Sequence, residues 1–398
     1  MPTEDGVSRQ GTAAAGPLGG VRVVDFGHFI AAPGAGQTLA DLGADVIKVE
    51  TPTGDQARGV GSYGAAIIRG YNRRKRSVVL DLREHEQREA ALDLVAGADV
   101  VIHNMRPGVM DRLGLGAAAL RAVNGSVIIA AVTGFGTEGP SRARPGLDIA
   151  AQAESGLMSV TGEAGREPQR VGAPIVDHVS AGALVQGILA ALFHRERTGA
   201  GDEITVSLLD TAVDLQRVNW GEYALTGEMP TRRGNGQPGA APGADHFATS
   251  DGAVVVSAYT DEKFAALCRH AGVPELLEDP RFADNPSRVA HRPALLSALA
   301  PYFAARTSEA VVAELSALGI VSGAIRDYAQ VLAAGDVRAG GVFLECRDSD
   351  GAEYRMPGLP FTTTHRVRDG DGGTVPALGQ HTEEVLAEAR ARTGALPG

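Results

Sequence analysis

The chain has 398 residues, of which 44% are hydrophobic and 21% charged, and a formal net charge of −11. That balance is globular, and the length exceeds one ordinary core of about 100–200 residues, so two lobes are expected. The acidic charge disfavours a general nucleic-acid binder, and the two cysteines, Cys268 and Cys346, supply neither a disulfide framework nor the spacing of a metal site.

Residues 1–18 are rich in Gly and Ala and carry acidic residues, which reads as a mobile tail and not as a signal peptide. Residues 21–26 (VRVVDF) form a Val-rich strand closed by Gly27 and His28; a helix opens near Pro33, and residues 44–50 (ADVIKVE) repeat the buried-strand pattern. Strand, Gly-containing turn, helix and strand make a parallel βαβ unit. Further strands are expected at 77–82, 99–105 and 125–136, with a helix between the first two. The N-terminal part therefore reads as a doubly wound, Rossmann-like α/β domain. No GxGxxG follows the first strand, which disfavours a nicotinamide site.

Residues 178–197 form an Ala/Leu-rich helix, followed by a turn, a strand and another helix; the Gly/Pro-rich stretch 226–246 marks a boundary or a loop. A strand at 253–259 and helices around 261–272 and 292–318 form a smaller α+β lobe, and residues 376–390 form a last amphipathic helix. The expected division is a tail (1–18), a large domain (19–200), a linker helix and glycine loop (201–235), a small domain (236–325) and a return segment completing the large domain (326–398). No apolar run reads as long enough to span a bilayer, so a cytoplasmic protein without a membrane partner is expected.

Six segments in order resemble one family: 23–58 with its GADVIKVE, 71–82 (YNRRKRSVVLDL), 103–116 (HNMRPGVMDRLGLG), 144–163 (RPGLDIAAQAESGLMSVTGE), 199–212 (GAGDEITVSLLDTA) and 376–386 (PALGQHTEEVL). Singly they are weak; together they make the chain similar to the class III CoA-transferases, which include formyl-CoA transferase, carnitine CoA-transferase and α-methylacyl-CoA racemase. The resemblance implies a large Rossmann-like domain and a small domain joined by long linkers, in an interlocked-ring homodimer. It implies acyl-CoA and a small carboxylic acid as partners, with coenzyme A as substrate and no permanently bound cofactor or metal.

CoA carries phosphates that Arg and Lys bind by charge-assisted hydrogen bonds. The densest basic run, Arg73 to Arg76, precedes a strand and reads as a loop; Arg74 and Lys75 are the expected contacts, and the resemblance places Lys75 on a CoA site. It adds Asn104, Met105, Val109 and Arg112, together with His28, Phe29, Ile30 and Ala31 beyond the first strand, where open parallel sheets bind ligands. The nucleophile of the transferases is an Asp; an ungapped match puts Gly165 in its place. The nearby carboxylates are Glu163 and Glu167, preferred here over Asp148 and Asp177. Asp177 also matches a racemase acid/base position, whose partner His is replaced by Leu147. Gly234, Asn235, Gly236 and Gln237 resemble a glycine loop that folds over the thioester. CoA transfer to a carboxylic acid is the leading expectation. The alternatives are epimerisation or isomerisation at the α-carbon with Asp177 as base, and an acyl-CoA-binding protein without the nucleophile.

Overall fold

The structure, a computed structural model, describes residues 16–236, 244–363 and 370–393. The chain forms two compact units: one of residues 1–157, 171–218 and 336–398, the other of residues 158–170 and 219–335.

The first unit is built on six parallel strands: β1 (Arg22–Asp25), β2 (Asp45–Glu50), β3 (Arg76–Val79), β4 (Val100–His103), β5 (Ile128–Thr133) and β6 (Glu203–Ser207). Their order across the sheet is β3-β2-β1-β4-β5-β6. Strand β1 pairs with β2 on one side (Val23 opposite Val46) and β4 on the other (Val23 opposite Val100), so the order reverses between β1 and β4. The helices between residues 31 and 226 are α1 (Ala31–Asp41), α2 (Gly61–Tyr71), α3 (His85–Ala96), α4 (Val109–Arg112), α5 (Ala117–Val123), α6 (Asp148–Glu154), α7 (Leu157–Val160), α8 (Ile175–Thr198), α9 (Leu208–Asp214) and α10 (Arg217–Thr226); most of α7 and of α10 belongs to the second unit.

Strand side chains alternate between faces, and here both faces are covered. Val23, Val46, Val100 and Ile128 point into one cluster with α1 and α8. Their neighbours Val24, Ile47, Val101 and Ile129 point into another with Leu94 of α3 and Leu120 of α5. This is why the strands read as unbroken Val/Ile runs. Helices α1 and α8 approach closely because α1 presents Gly34, where a Cβ would lie 3.1 Å from that of Ala181.

The C-terminal segment returns to this unit. After α15 (Tyr328–Ala333), which belongs to the second unit, α16 (Gly335–Gly340) precedes β10 (Phe343–Arg347), β11 (Glu353–Pro357) and β12 (Asp371–Thr374), which form a small mixed sheet, and α17 (Thr382–Thr393) places Val385 in the α3/α5 cluster. The second unit is a three-stranded antiparallel sheet, β7 (Ala244–Ala248), β8 (Ala253–Ser257) and β9 (Val321–Ala324), covered by α11 (Asp261–His270), α12 (Asn285–Ala290), α13 (Arg292–Ala304) and α14 (Ser308–Ala317). Phe247 and Phe303 stack at its centre with rings 4.0 Å apart.

Three expectations need correction. The tail does not extend to residue 18: the Leu18 amide donates to the Leu42 carbonyl (3.0 Å) and its side chain packs on the α1/α8 cluster. Residues 158–170 and 326–335 group with the second unit, whereas the sequence division keeps 158–170 in the large domain and gives 326–335 to the return segment. Helix α8 is long and apolar enough, by length and composition, to cross a membrane. It is instead a core helix here, with Leu184, Val185, Ile188 and Ala191 buried against the sheet.

Candidate active site

Where the strand order of an open parallel sheet reverses, the loops after the two central strands diverge and leave a crevice at their carboxyl ends. Here those loops carry His28 after β1 and Asn104 after β4. The Asn104 side chain bridges them: its Oδ1 accepts from the His28 amide (2.9 Å) and its Nδ2 donates to the His28 carbonyl (2.8 Å). Phe29 follows at φ +60°, a left-handed conformation uncommon for a residue with a side chain. Burial first, and then the Lys48 ammonium, push the His28 imidazole below its ordinary value. Ile30 and Ala31 lie at the start of α1 with buried side chains, so only their backbone can face a ligand.

The basic run is not the exposed cationic loop expected. Lys75 is buried, and its ammonium donates to Asp25 (2.8 Å), to the Pro33 carbonyl (2.9 Å) and to Asn72 (3.1 Å). Arg73 is buried against Asp41 (3.1 Å) and the Gly372 carbonyl (2.6 Å). Arg76 pairs with Asp45 (2.7 Å) and Glu388 (2.8 Å). Arg74 alone is exposed, and it donates to the Asp371 carbonyl (2.6 Å). A buried ammonium already holding three acceptors has no free donor for a phosphate. The run secures the β3 end to α1 and to the returning C-terminal segment, and Lys75 is corrected from a phosphate contact to an internal ion-pair partner.

Unpaired cations do occur beyond β4. Arg106 and Arg112 are exposed and form no ion pair among the described residues. Next to them is a cavity of about 220 Å³ whose lining includes His103, Met105, Arg106, Met110, Leu115 and Thr133. Met105 thus presents apolar surface there; Val109 opens α4 and is half-buried, outside that lining. Burial pushes His103 down to about 4, so its imidazole adds no positive charge to this wall at pH 7. Sequence reasoning missed Arg106, although it directly follows Met105 and precedes a Pro-Gly turn.

Among the described residues, the carboxyl group raised above its ordinary range is Asp177, in the first turn of α8. Asp148, in the first turn of α6, turns its carboxylate to the same helix end and accepts from the amides of Val176 (2.8 Å) and Asp177 (3.2 Å), and from the Gln152 side chain. Asp148 thereby takes the amide donors that would otherwise favour a charged Asp177. Burial, and then the Asp148 charge, raise Asp177 to about 7. Its side chain is partly accessible and accepts no hydrogen bond among the described residues. The negative charge of Asp177 in turn raises the Tyr71 phenol, after burial, so Tyr71 at the end of α2 lies within its field. One turn along α8, Ala181 meets Gly34 in the first turn of α1. Asp177 therefore stands at the same end of the sheet as the His28–Asn104 bridge.

The carboxylates preferred from sequence have no such environment. Glu163 and Glu167 are exposed; Glu163 faces Arg166 at 3.5 Å, and Glu167 forms no ion pair among the described residues. Gly165 has φ +73° and open space where a Cβ would be. Within the second unit this loop is tied to the glycine stretch: Arg232 donates to the carbonyls of Ser159 (3.2 Å) and Arg166 (2.7 Å), and the Gly234 amide donates to the Gly162 carbonyl (3.0 Å). Asn235 reaches His246, and a Cβ on Gly236 would lie 2.4 Å from the Arg292 guanidinium. Gln237 lies outside the described residues.

The chain is similar to known proteins along almost its whole length. The model of CoA-transferase family III matches residues 18–382. The chain is 35% identical to a succinyl-CoA:mesaconate CoA-transferase of Haloarcula marismortui, over 95% of this chain and 98% of the relative. It is 38% identical to a probable fatty acyl-CoA transferase of Mycobacterium tuberculosis, over 79% and 84% of the two chains. Among solved structures, a CAIB/BAIF family protein from Brucella suis superposes with a TM-score of 0.84 at 36% identity, covering 94% of this chain and 100% of that one. A doubly wound sheet with an open crevice, a perturbed carboxyl at its rim and this similarity across almost the whole length lead to one conclusion: the chain belongs to CoA-transferase family III.

Proposed function

We propose that this protein moves CoA from an acyl-CoA thioester to a free carboxylic acid, with Asp177 as the nucleophile. The single observation that carries this reading is the partly accessible Asp177 carboxyl raised to about 7 beside Asp148. A carboxylate with a higher pKa is a stronger nucleophile, and near pH 7 about half of it is ionised. Asp177 attacks the thioester carbonyl, the C–S bond breaks, and CoA leaves as thiolate with a mixed anhydride on Asp177. The thiolate attacks the Asp177 carbonyl of the anhydride and releases the first acid, leaving CoA as a thioester on Asp177. The acceptor carboxylate then attacks that thioester, and the returning thiolate completes the exchange. Every atom comes from Asp177 and the two substrates, so the cycle needs no permanently bound cofactor.

Arg106 and Arg112 supply cations for the CoA phosphates, and the cavity at Met105 suits an apolar or aromatic portion of the same molecule. Exposed apolar side chains on α8 to α10 and just beyond (Phe193, Val218, Leu225 and Met229, the last three 82%, 89% and 74% exposed) favour a homodimer, which sedimentation at micromolar concentration tests. Epimerisation at the α-carbon needs a second acid/base group. Leu147 has none, and Asp148 is committed to the α8 amides. The test is to incubate the protein with an acyl-CoA and an isotopically labelled acid and follow both by mass spectrometry. Transfer predicts label in the new acyl-CoA without deuterium uptake at the α-carbon from heavy water; the reverse pattern identifies epimerisation.

A further inference from the structure

The turn between β1 and α1 is held from below by buried charge. Lys48 of β2 donates to the Gly27 carbonyl and to Asp55 (3.0 Å). Asp55 in turn accepts from the Phe29 amide (3.1 Å) and the Ala57 amide (2.9 Å). Lys48 and Asp55 are both buried. With the Asn104 bridge, the peptide groups on both sides of His28 are thus satisfied: Gly27 carbonyl by Lys48, His28 amide and carbonyl by Asn104, Phe29 amide by Asp55. The brace has its own support, since Glu50 accepts from the Asp55 amide (2.9 Å), from Ser77 (2.8 Å) and from two nitrogens of Arg58. A left-handed Phe29 persists only where its surroundings over-determine it, and such residues concentrate at functional sites.

We propose that Asp55 is a positioning residue for acyl-CoA binding: through the Phe29 amide it fixes the turn that carries His28 to the crevice. The inference rests on the reading of the crevice as the acyl-CoA site. Asp55 does not touch the reacting atoms; its effect belongs in the binding of acyl-CoA and not in the step at Asp177. Removing either charge alone strands the other in the interior, and such variants can fail to fold. Two double variants avoid this. Lys48→Met with Asp55→Asn removes both charges but keeps a side-chain oxygen for the Phe29 and Ala57 amides. Lys48→Met with Asp55→Leu removes the charges and the acceptor.

The two doubles are compared in thermal stability, in KM for acyl-CoA, in kcat, and in hydrogen exchange of the peptide spanning residues 26–32. The Asn double should keep KM within about threefold of the parent. The Leu double should raise KM about tenfold or more, with kcat changed much less and local exchange faster, while exchange in α8 stays unchanged. Equal exchange in the turn of the two doubles overturns the proposal, as does a rise in KM that follows melting temperature in both. A parent enzyme without CoA transfer, but with the exchange difference intact, would reject the reading of the reaction and leave Asp55 as the residue that sets the turn.

Discussion

Replacing Asp177 by Asn should make the folded protein more stable and less active at once. The group is raised from 3.8 to about 7. Below 3.8 it is neutral folded or unfolded and has no effect. As pH rises toward 7 the unfolded chain ionises while the folded site keeps its proton, so stability is lost across that window; above 7 the loss is complete. A shift of that size corresponds to at most about 4 kcal/mol. The carboxyl is partly accessible, and water screening reduces this to a working figure of about 2 kcal/mol. With about 2.1 cal/mol/K of unfolding entropy per residue over 398 residues, Asp177→Asn should raise the melting temperature at pH 8 by about 2–3 °C. At pH 5 the gain should fall to less than half. CoA transfer should drop by a factor of about 10³ or more, because an amide cannot form the anhydride. Paired melts at the two pH values, with an exchange assay on the same samples, test this. A variant that is destabilised at pH 8, or that keeps a tenth of the activity, refutes the reasoning.

Other substitutions separate the groups around the site. Asp148→Asn removes the charge that helps raise Asp177, so the acidic limb of kcat/KM should move to lower pH; it also weakens the cap on α8 by about 1 kcal/mol, read as a lower melting temperature. Arg112→Ala or Arg106→Ala should each weaken CoA binding by about one to two decades in calorimetry with the melting temperature unchanged. Lys75→Ala should instead destabilise the first unit by about 3–5 kcal/mol, since it leaves Asp25 buried without its cation. Glu163→Gln and Glu167→Gln should keep CoA exchange within about threefold of the parent, measured in the same assay.

Much of the large unit is legible in the sequence because parallel strands covered on both faces must be apolar throughout: β1, β2, β4 and β5 announce themselves as Val/Ile runs. Their order across the sheet is set by long-range pairing and leaves no local mark. Helix α2 is hidden because GSYGAAIIRGY opens on glycines and has no side-chain N-cap. Strand β12 is hidden because DGGT has almost no side chains to show a period. At the site, the basic run misleads because its partners, Asp25, Asp41, Asp45, Asp371 and Glu388, arrive from distant segments; spacing alone cannot tell a spent cation from a free one. Asp177 carried a usable local signal: the one acid in the first turn of a long helix whose middle turns are mostly apolar. Proximity to the Thr161-Gly162 turn draws attention to Glu163 and Glu167 instead, but what raises a carboxyl is burial and a neighbouring charge, and these arise only when α6 and α8 meet.

The most direct test of the central claim is covalent trapping. Protein is incubated with acyl-CoA, treated with hydroxylamine or borohydride, digested and mapped by mass spectrometry. The account predicts modification at Asp177, in the peptide opening α8, and its loss in Asp177→Asn. Modification at Glu163, Glu167 or Asp148, with Asp177 untouched in an active enzyme, would contradict it.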